Sequence, residues 1–212
     1  MVALSFREEL FMRKACIDEK GFLLCSSPLD ILELVREQIK YQGNVVCILP
    51  LGPQGAGKST LGSFLKGKIG NMQLISPDAL RLELYEKSHL GKRADYSSLK
   101  GFMNPQREKK VFRQALQMFR SPLSRIKYID RMNLTPRSRA PFLQEENINM
   151  AILFDIPLDK LLILHNKRKD KRKVIEEAFV KRSFTIMALP LEKEFDLVIR
   201  YIPEIHLNEK KG

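Results

Sequence analysis

Val45-Val46-Cys47-Ile48-Leu49-Pro50-Leu51-Gly52-Pro53-Gln54-Gly55-Ala56-Gly57-Lys58-Ser59-Thr60-Leu61 is the stretch that decides the fold. An apolar run of strand length enters a glycine-rich turn, and the turn enters a helix-compatible segment, Leu61 to Lys66. The pattern is G-x-x-x-x-G-K-[ST] with a strand before it and a helix after it, the context the motif requires. Gly52, Gly55 and Gly57 are expected to reach positive φ and let the backbone approach an anion closely. Successive N–H groups of Gln54, Gly55, Ala56, Gly57, Lys58, Ser59 and Thr60 would then cradle phosphate at a helix N-terminus, where the partial charge is positive. Lys58 would reach the β- and γ-phosphates, and the Ser59 hydroxyl would take one position on Mg²⁺. The loop implies a nucleoside triphosphate and leaves the recipient of its phosphate open.

The segments around this stretch alternate. Working outward, the pattern predicts strands at 44–50, 72–75, 126–130, 149–155 and 196–201. It predicts helices at 58–68, 77–87, 105–119, 137–146, 157–166 and 174–187. Such alternation implies a parallel sheet covered on both faces, with active groups at the carboxyl ends of the strands. Residues 1–43 precede the first strand and read as a helical appendage, with one helix over Glu9–Ile17 and another opened by Ser27-Pro28. The division expected is therefore an appendage at 1–43 and the main domain at 44–212. Lys87 to Asn104 reads as a long loop, a candidate for substrate binding or for disorder.

Two aspartates fall at predicted strand ends. Ile75 is followed by Ser76-Pro77-Asp78-Ala79-Leu80-Arg81. Ser76 can cap the helix and Pro77 suits its first turn, which puts Asp78 beside the phosphate loop. Arg81 shares its helix face. A carboxylate that can take a hydroxyl proton then stands beside a guanidinium that can hold a phosphate, the pair a kinase acting on a phosphorylated alcohol needs. The third strand ends in Asp130-Arg131-Met132-Asn133-Leu134-Thr135-Pro136-Arg137. Asp130 could serve a metal-bound water or the acceptor, and the residues alone do not separate these roles. The histidines, His89, His165 and His206, carry no motif.

Composition narrows the partners. A chain of 212 residues with a formal charge of +12 points to an anionic partner. Between residues 107 and 139 the basic residues are Arg107, Lys109, Lys110, Arg113, Arg120, Arg125, Lys127, Arg131, Arg137 and Arg139, opposed only by Glu108 and Asp130. A second block, residues 167–173, stands between two predicted helices, where a lid would close over a triphosphate. Arg168 or Arg172 would supply planar charge to a transferring phosphoryl group. Cys16, Cys25 and Cys47 have no zinc or redox spacing and suit reduced, intracellular thiols. No apolar run approaches the roughly 18 residues of a membrane span, and the N-terminal residues lack an apolar signal core, so an intracellular location, cytoplasmic or nuclear, is expected.

Together these segments resemble the 5′-hydroxyl polynucleotide kinase family of P-loop phosphotransferases. The resemblance runs from about Val45 to Ile202 through the phosphate loop, Asp78 and Arg81, and the aspartate-x-x-asparagine segment at Asp130–Asn133. It continues through the basic block before Val174-Ile175-Glu176-Glu177, and through Met187-Ala188-Leu189-Pro190 before Phe195-Asp196-Leu197. The aspartate-arginine-x-asparagine form is also similar to the kinase module of fungal tRNA ligases. The resemblance implies an α/β, P-loop NTPase/kinase-like three-layer fold with a mainly parallel sheet. It implies Mg²⁺, ATP or GTP as donor, and RNA or DNA with a 5′-OH end as acceptor. Lys58, Asp78 and a lid arginine, Arg168 or Arg172, would be catalytic, Asp78 as general base, while Arg81, Asp130, Asn133 and Arg137 would bind the acceptor. The block from Lys167 to Lys173 departs from family lids, which carry glycine and proline, because it is charged throughout. No phosphatase nucleophile or ligase lysine motif is found. A kinase of small metabolites, and a nucleotide-binding scaffold for nucleic acid without transfer, are the alternatives.

Overall fold

The computed structural model describes residues 17–42, 44–94, 97–167, 176–191 and 193–203. In chain order the elements are β1 (Leu23–Cys25), α1 (Pro28–Gln42), β2 (Val46–Leu51), α2 (Lys58–Lys68), β3 (Met72–Ile75) and α3 (Pro77–Ser88). They continue with α4 (Pro105–Arg120), β4 (Ile126–Ile129), α5 (Pro136–Arg139), a 3₁₀ turn (Ala140–Phe142), β5 (Ile148–Phe154), α6 (Leu158–Lys167), α7 (Glu177–Thr185) and β6 (Leu197–Tyr201). The six strands form one sheet in the order β1-β6-β5-β2-β4-β3, and every pairing in it is parallel.

The strand sequences explain the layering. β2 is buried at every position. Val46 and Ile48 join a core with Ile31, Leu32, Leu61, Leu65, Leu161 and Val180, which come from α1, α2, α6 and α7. Cys47, Leu49 and Leu51 face the opposite way and meet Leu80, Val111, Ala115, Phe119 and Phe142, from α3, α4 and the 3₁₀ turn. A strand apolar on both faces demands helices on both faces, and that gives the three layers. Burial raises the Cys25 and Cys47 thiols far above the ordinary range, so both are packing groups and not nucleophiles. No helix of the described residues is long and apolar enough to cross a membrane.

Pro50 sits inside this central strand without breaking it. The even-numbered N–H groups of β2 face β4, as Val46 N–H shows by donating to Arg125 O at 2.7 Å. The register puts Ile129 O opposite Pro50, and since proline has no N–H to give it, the ladder ends at the Ile48–Tyr128 pair and the Asn133 amide donates to Ile129 O instead, at 3.2 Å.

Two expectations change, and two others fall partly outside the described residues. The N-terminal segment is helical over Pro28–Gln42, and it also adds a strand to the sheet, Leu23–Cys25 against β6. The helix expected at Glu9–Ile17 lies outside the described residues apart from Ile17, which bridges to Leu23. The helix expected at 137–146 is one turn of α-helix and one of 3₁₀, because Pro141 supplies no N–H to continue the ladder. The helix expected at 174–187 is described only as Glu177–Thr185.

Candidate active site

The strand order creates the site. β4 lies between β2 and β3, so the loops leaving these three strands converge at one carboxyl edge. Such a reversal of strand order is where open α/β sheets bind ligands. An open cleft of about 2050 Å³ lies there, lined among others by Gln54 to Thr60, Asp78, Arg81, Glu108, Lys109 and Asp130 to Asn133. Pockets for a single small ligand hold roughly 300–1,000 Å³, so this cleft has room for a donor and an acceptor.

In the phosphate loop Gly55 (φ +88°) and Gly57 (φ +93°) adopt the left-handed conformation. Gly52 does not. Its glycine eases packing, since a Cβ there would lie 3.0 Å from Cβ of Phe154 on β5 and the neighbour would have to give by a few tenths of an ångström. Gly57 leads directly into α2, whose first turn is Lys58-Ser59-Thr60. The Lys58 ammonium donates back to the loop carbonyls of Gly52 (2.9 Å) and Pro53 (2.6 Å). Tyr128, fully buried on β4, donates its hydroxyl to the Lys58 carbonyl at 2.7 Å and so pins the start of α2 to the sheet. Burial first, and then the nearby Asp130 carboxylate, raise the Tyr128 pKa and keep this donor protonated. The close approach also depends on Gly62, where a Cβ would lie 2.7 Å from the Tyr128 ring. Neither Tyr128 nor Gly62 was singled out by the motif.

The structure brings Asp130 to the loop: Ser59 Oγ donates to Asp130 Oδ1 at 3.1 Å. Asp130 N–H is itself held by Ile75 O at the end of β3 (2.8 Å). A hydroxyl and a carboxylate are hard oxygen donors, and Mg²⁺ in phosphoryl-transfer sites takes one or two carboxylates plus waters and substrate phosphates. The pair therefore fits such an ion. Among the described residues no cluster of three or more His, Cys, Asp or Glu could form an all-protein cage.

Asp78 and Arg81 meet as their spacing predicts, with Nη1 to Oδ1 at 2.6 Å. A third partner had gone unrecognised. Glu108, from the first turn of α4, receives the other edge of the guanidinium: Nε donates to Oε1 at 3.0 Å and Nη2 to Oε2 at 2.8 Å. Glu108, Asp78 and burial act on Arg81 together, and its pKa is raised, chiefly by the Glu108 hydrogen bonds. One guanidinium is thus held between two carboxylates on the cleft wall.

The remaining assignments divide. Asn133, expected at the acceptor, is buried, and its amide donates to the carbonyls of Pro50 (3.0 Å), Ile129 (3.2 Å) and Arg131 (3.2 Å). At φ +50° it shapes the loop after β4 from beneath the cleft. Arg137 is exposed and is not among the residues that line the cleft. Arg168 and Arg172 lie outside the described residues.

The basic stretch also separates. Lys127 is buried and bonded to the Phe119 carbonyl, and Arg139 is fully buried against Glu194. Arg131 is half-buried. Lys109, Lys110, Arg113 and Arg120 remain exposed on α4. Spacings of three and seven residues put Lys110, Arg113 and Arg120 on one outer stripe. His89, in the long loop, stacks on Tyr85 at 3.9 Å with Phe102 edge-on at 5.5 Å, which ties that loop to α3.

No protein-family model and no curated protein matches the chain. Solved structures do. A chain of the Pnkp1/Rnl/Hen1 RNA repair complex aligns over 70% of this chain and 46% of its own, at 17% identity and a TM-score of 0.52. This chain therefore spans less than half of that neighbour's length. A fungal RNA kinase aligns over 74% of this chain and 75% of its own, at 16% identity and a TM-score of 0.50. A gluconokinase from Sinorhizobium meliloti 1021 aligns at 12% identity, over 74% of this chain and 81% of its own, with a TM-score of 0.45. At these identities the first two likenesses show a shared fold, the α/β P-loop kinase type.

Proposed function

We propose that this chain is a Mg²⁺-dependent phosphotransferase that moves the γ-phosphate of ATP or GTP to the 5′-hydroxyl end of RNA or DNA. The observation that carries this reading is the shared cleft, which the phosphate loop, Asp78 and the hydrogen-bonded Ser59–Asp130 pair line together. In the transfer the acceptor oxygen bonds to the γ-phosphorus, and the bond to the β-phosphate oxygen breaks. The hydroxyl proton passes to the Asp78 carboxylate, and the nucleoside diphosphate leaves. Lys58 leaves its loop carbonyls for the β- and γ-phosphates, a preorganised charge where negative charge develops. Ser59 and Asp130 would hold the metal ion, which when bound neutralises phosphate charge. Asp130 is thereby proposed on the metal side of the cleft instead of the acceptor side. Arg81, fixed by Glu108, presents Nη1 to Asp78 and steers that carboxylate. The polynucleotide acceptor is supported by the family resemblance, the fold neighbours and the exposed α4 stripe.

The deciding experiment offers labelled ATP and GTP with Mg²⁺ to 5′-OH oligonucleotides, nucleosides and hydroxylated metabolites. Transfer confined to the oligonucleotides supports the reading, and transfer to metabolites alone overturns it.

The stripe makes its own prediction. If Lys110, Arg113 and Arg120 contact single-strand phosphates, binding releases counterions, and log affinity falls with log salt by about 0.7 per phosphate. Replacing all three with alanine should make that slope shallower by about two. Transfer to a mononucleotide, too short to reach the stripe, should hardly change. An affinity series across salt with an unchanged slope would reduce the stripe to a solubilising face.

A further inference from the structure

Two side chains from β4 and its end hold two consecutive residues of α2. Tyr128 donates its hydroxyl to the Lys58 carbonyl at 2.7 Å, and Asp130 accepts from Ser59 Oγ at 3.1 Å. Alternate positions of an extended chain share a face, so both side chains reach α2 from one line of the sheet. The carbonyl of a first helical residue already accepts from the residue four further on within its helix. Lys58 O therefore needs no phenol to be satisfied, and a bond to its second lone pair ties the helix to the sheet. Tyr128 is fully buried and is not among the residues that line the cleft, so it acts on the site through its neighbours.

The packing around this tie is close. A Cβ on Gly62 would lie 2.7 Å from Cε1 and 3.0 Å from Cδ1 of Tyr128, and 3.0 Å from Cδ1 of Leu74. The ring thus fills the place of a side chain on α2, and the helix rests on it. Gly57, at the N-cap of α2, offers no side-chain hydrogen bond to the helix start. The Lys58 ammonium holds the carbonyls of Gly52 and Pro53, bonds that it gives up in the proposed transfer. The bond from Tyr128 is made to the backbone, so it does not depend on where that ammonium points.

We infer that Tyr128 is a positioning residue for the metal pair: its hydroxyl fixes the first turn of α2 against β4, sets the spacing of Ser59 and Asp130, and so sets the preference for Mg²⁺ over a larger ion. This deepens the proposed function and rests on its assignment of the ion to these two residues. Mg²⁺ demands near-ideal octahedral geometry, whereas Ca²⁺ accepts larger and more flexible sets of oxygens. A pair held at fixed spacing favours the stricter ion. A pair freed to shift loses affinity for that ion first.

The test measures binding of a non-hydrolysable triphosphate by calorimetry in EDTA, in saturating Mg²⁺ and in saturating Ca²⁺. The ratio of Kd in EDTA to Kd with an ion is the enhancement by that ion. Tyr128→Phe keeps the ring and removes only the hydroxyl. It should leave the affinity in EDTA unchanged, since the loop N–H groups and Lys58 remain. It should lower the Mg²⁺ enhancement by about 3- to 10-fold, the worth of one hydrogen bond. The Ca²⁺ enhancement should stay within about twofold. Gly62→Ala keeps the hydroxyl but displaces the ring, and it should reproduce the Mg²⁺-selective loss. In a Ser59→Ala background Tyr128→Phe should have no further effect. Equal losses in all three conditions, equal losses with both ions, an unchanged Mg²⁺ enhancement, or a further loss in the Ser59→Ala background would each overturn the inference. If Mg²⁺ does not enhance binding to wild type, the metal assignment falls and the inference falls with it. If wild type binds the triphosphate with Mg²⁺ but transfers phosphate to no oligonucleotide, the proposed acceptor fails. The binding ratios still decide for Tyr128, because they need no acceptor.

Discussion

Asp78→Asn should lower phosphate transfer by about 10²–10⁴-fold while the triphosphate still binds. The substitution keeps the size of the side chain and its place in the first turn of α3, where Ser76 Oγ caps the helix through Ala79 N–H at 3.4 Å. What it removes is the proton acceptor and the charge that meets Arg81 Nη1. Lys58, Ser59 and Asp130 lie on other elements and keep their contacts, so donor affinity should survive. Single-turnover transfer at saturating substrates measures the chemical step directly. Turnover near wild type would leave Asp78 as a first-turn helix residue and would move the general base elsewhere in the cleft.

Glu194→Ala should be the most destabilising change at the edge of the site. Arg139 is fully buried, and Glu194 holds it through Nη2–Oε2 at 2.5 Å and Nε–Oε1 at 3.1 Å. The same guanidinium donates to Ala188 O at 3.0 Å, and Ala188 N–H donates to Leu134 O at 2.8 Å. The pair thus clamps the segment after α7 to the loop after β4 that carries Asn133. Removing one partner of a buried ion pair costs about 3–5 kcal/mol, because the other charge stays buried without it. For a chain of this size each kcal/mol shifts the midpoint by about 2–4 °C, so thermal unfolding should fall by about 6–20 °C. The double change Arg139→Met with Glu194→Leu should recover most of that loss, since a packed apolar pair removes both charges together. A midpoint within about 2 °C of wild type for Glu194→Ala would show that the backbone carbonyls alone satisfy Arg139.

Local spacing made some of the site legible. The strand, the glycine turn, Lys58 and Ser59 lie within one continuous stretch, and their geometry follows from neighbours along the chain. Asp78 and Arg81 are three residues apart on one helix, so their contact was readable as well. Glu108 was not, because it reaches Arg81 across 27 residues and a separate helix. Charge alone marks it as one of two acids opposing a basic stretch. Nor did composition tell surface from interior: Lys127 and Arg139 count as basic residues in any sum, yet both point into the protein. The family resemblance put Asn133 at the acceptor, and it could not show that the Asn133 amide holds three backbone carbonyls.

The sequence by itself determined a parallel α/β sheet, the phosphate loop with its helix, and a candidate acid–base pair at the next strand end. Hydrophobic runs buried on both faces and motifs of fixed spacing are local properties, and the chain carries them without reference to distant residues. Only the tertiary structure decided that β4 enters the sheet between β2 and β3. That insertion brings Asp130 to Ser59 across 71 residues and sets Tyr128 beneath Lys58. Strand order is chosen by which apolar faces pack together over the whole domain, so side chains that meet only because of it could be identified only after folding.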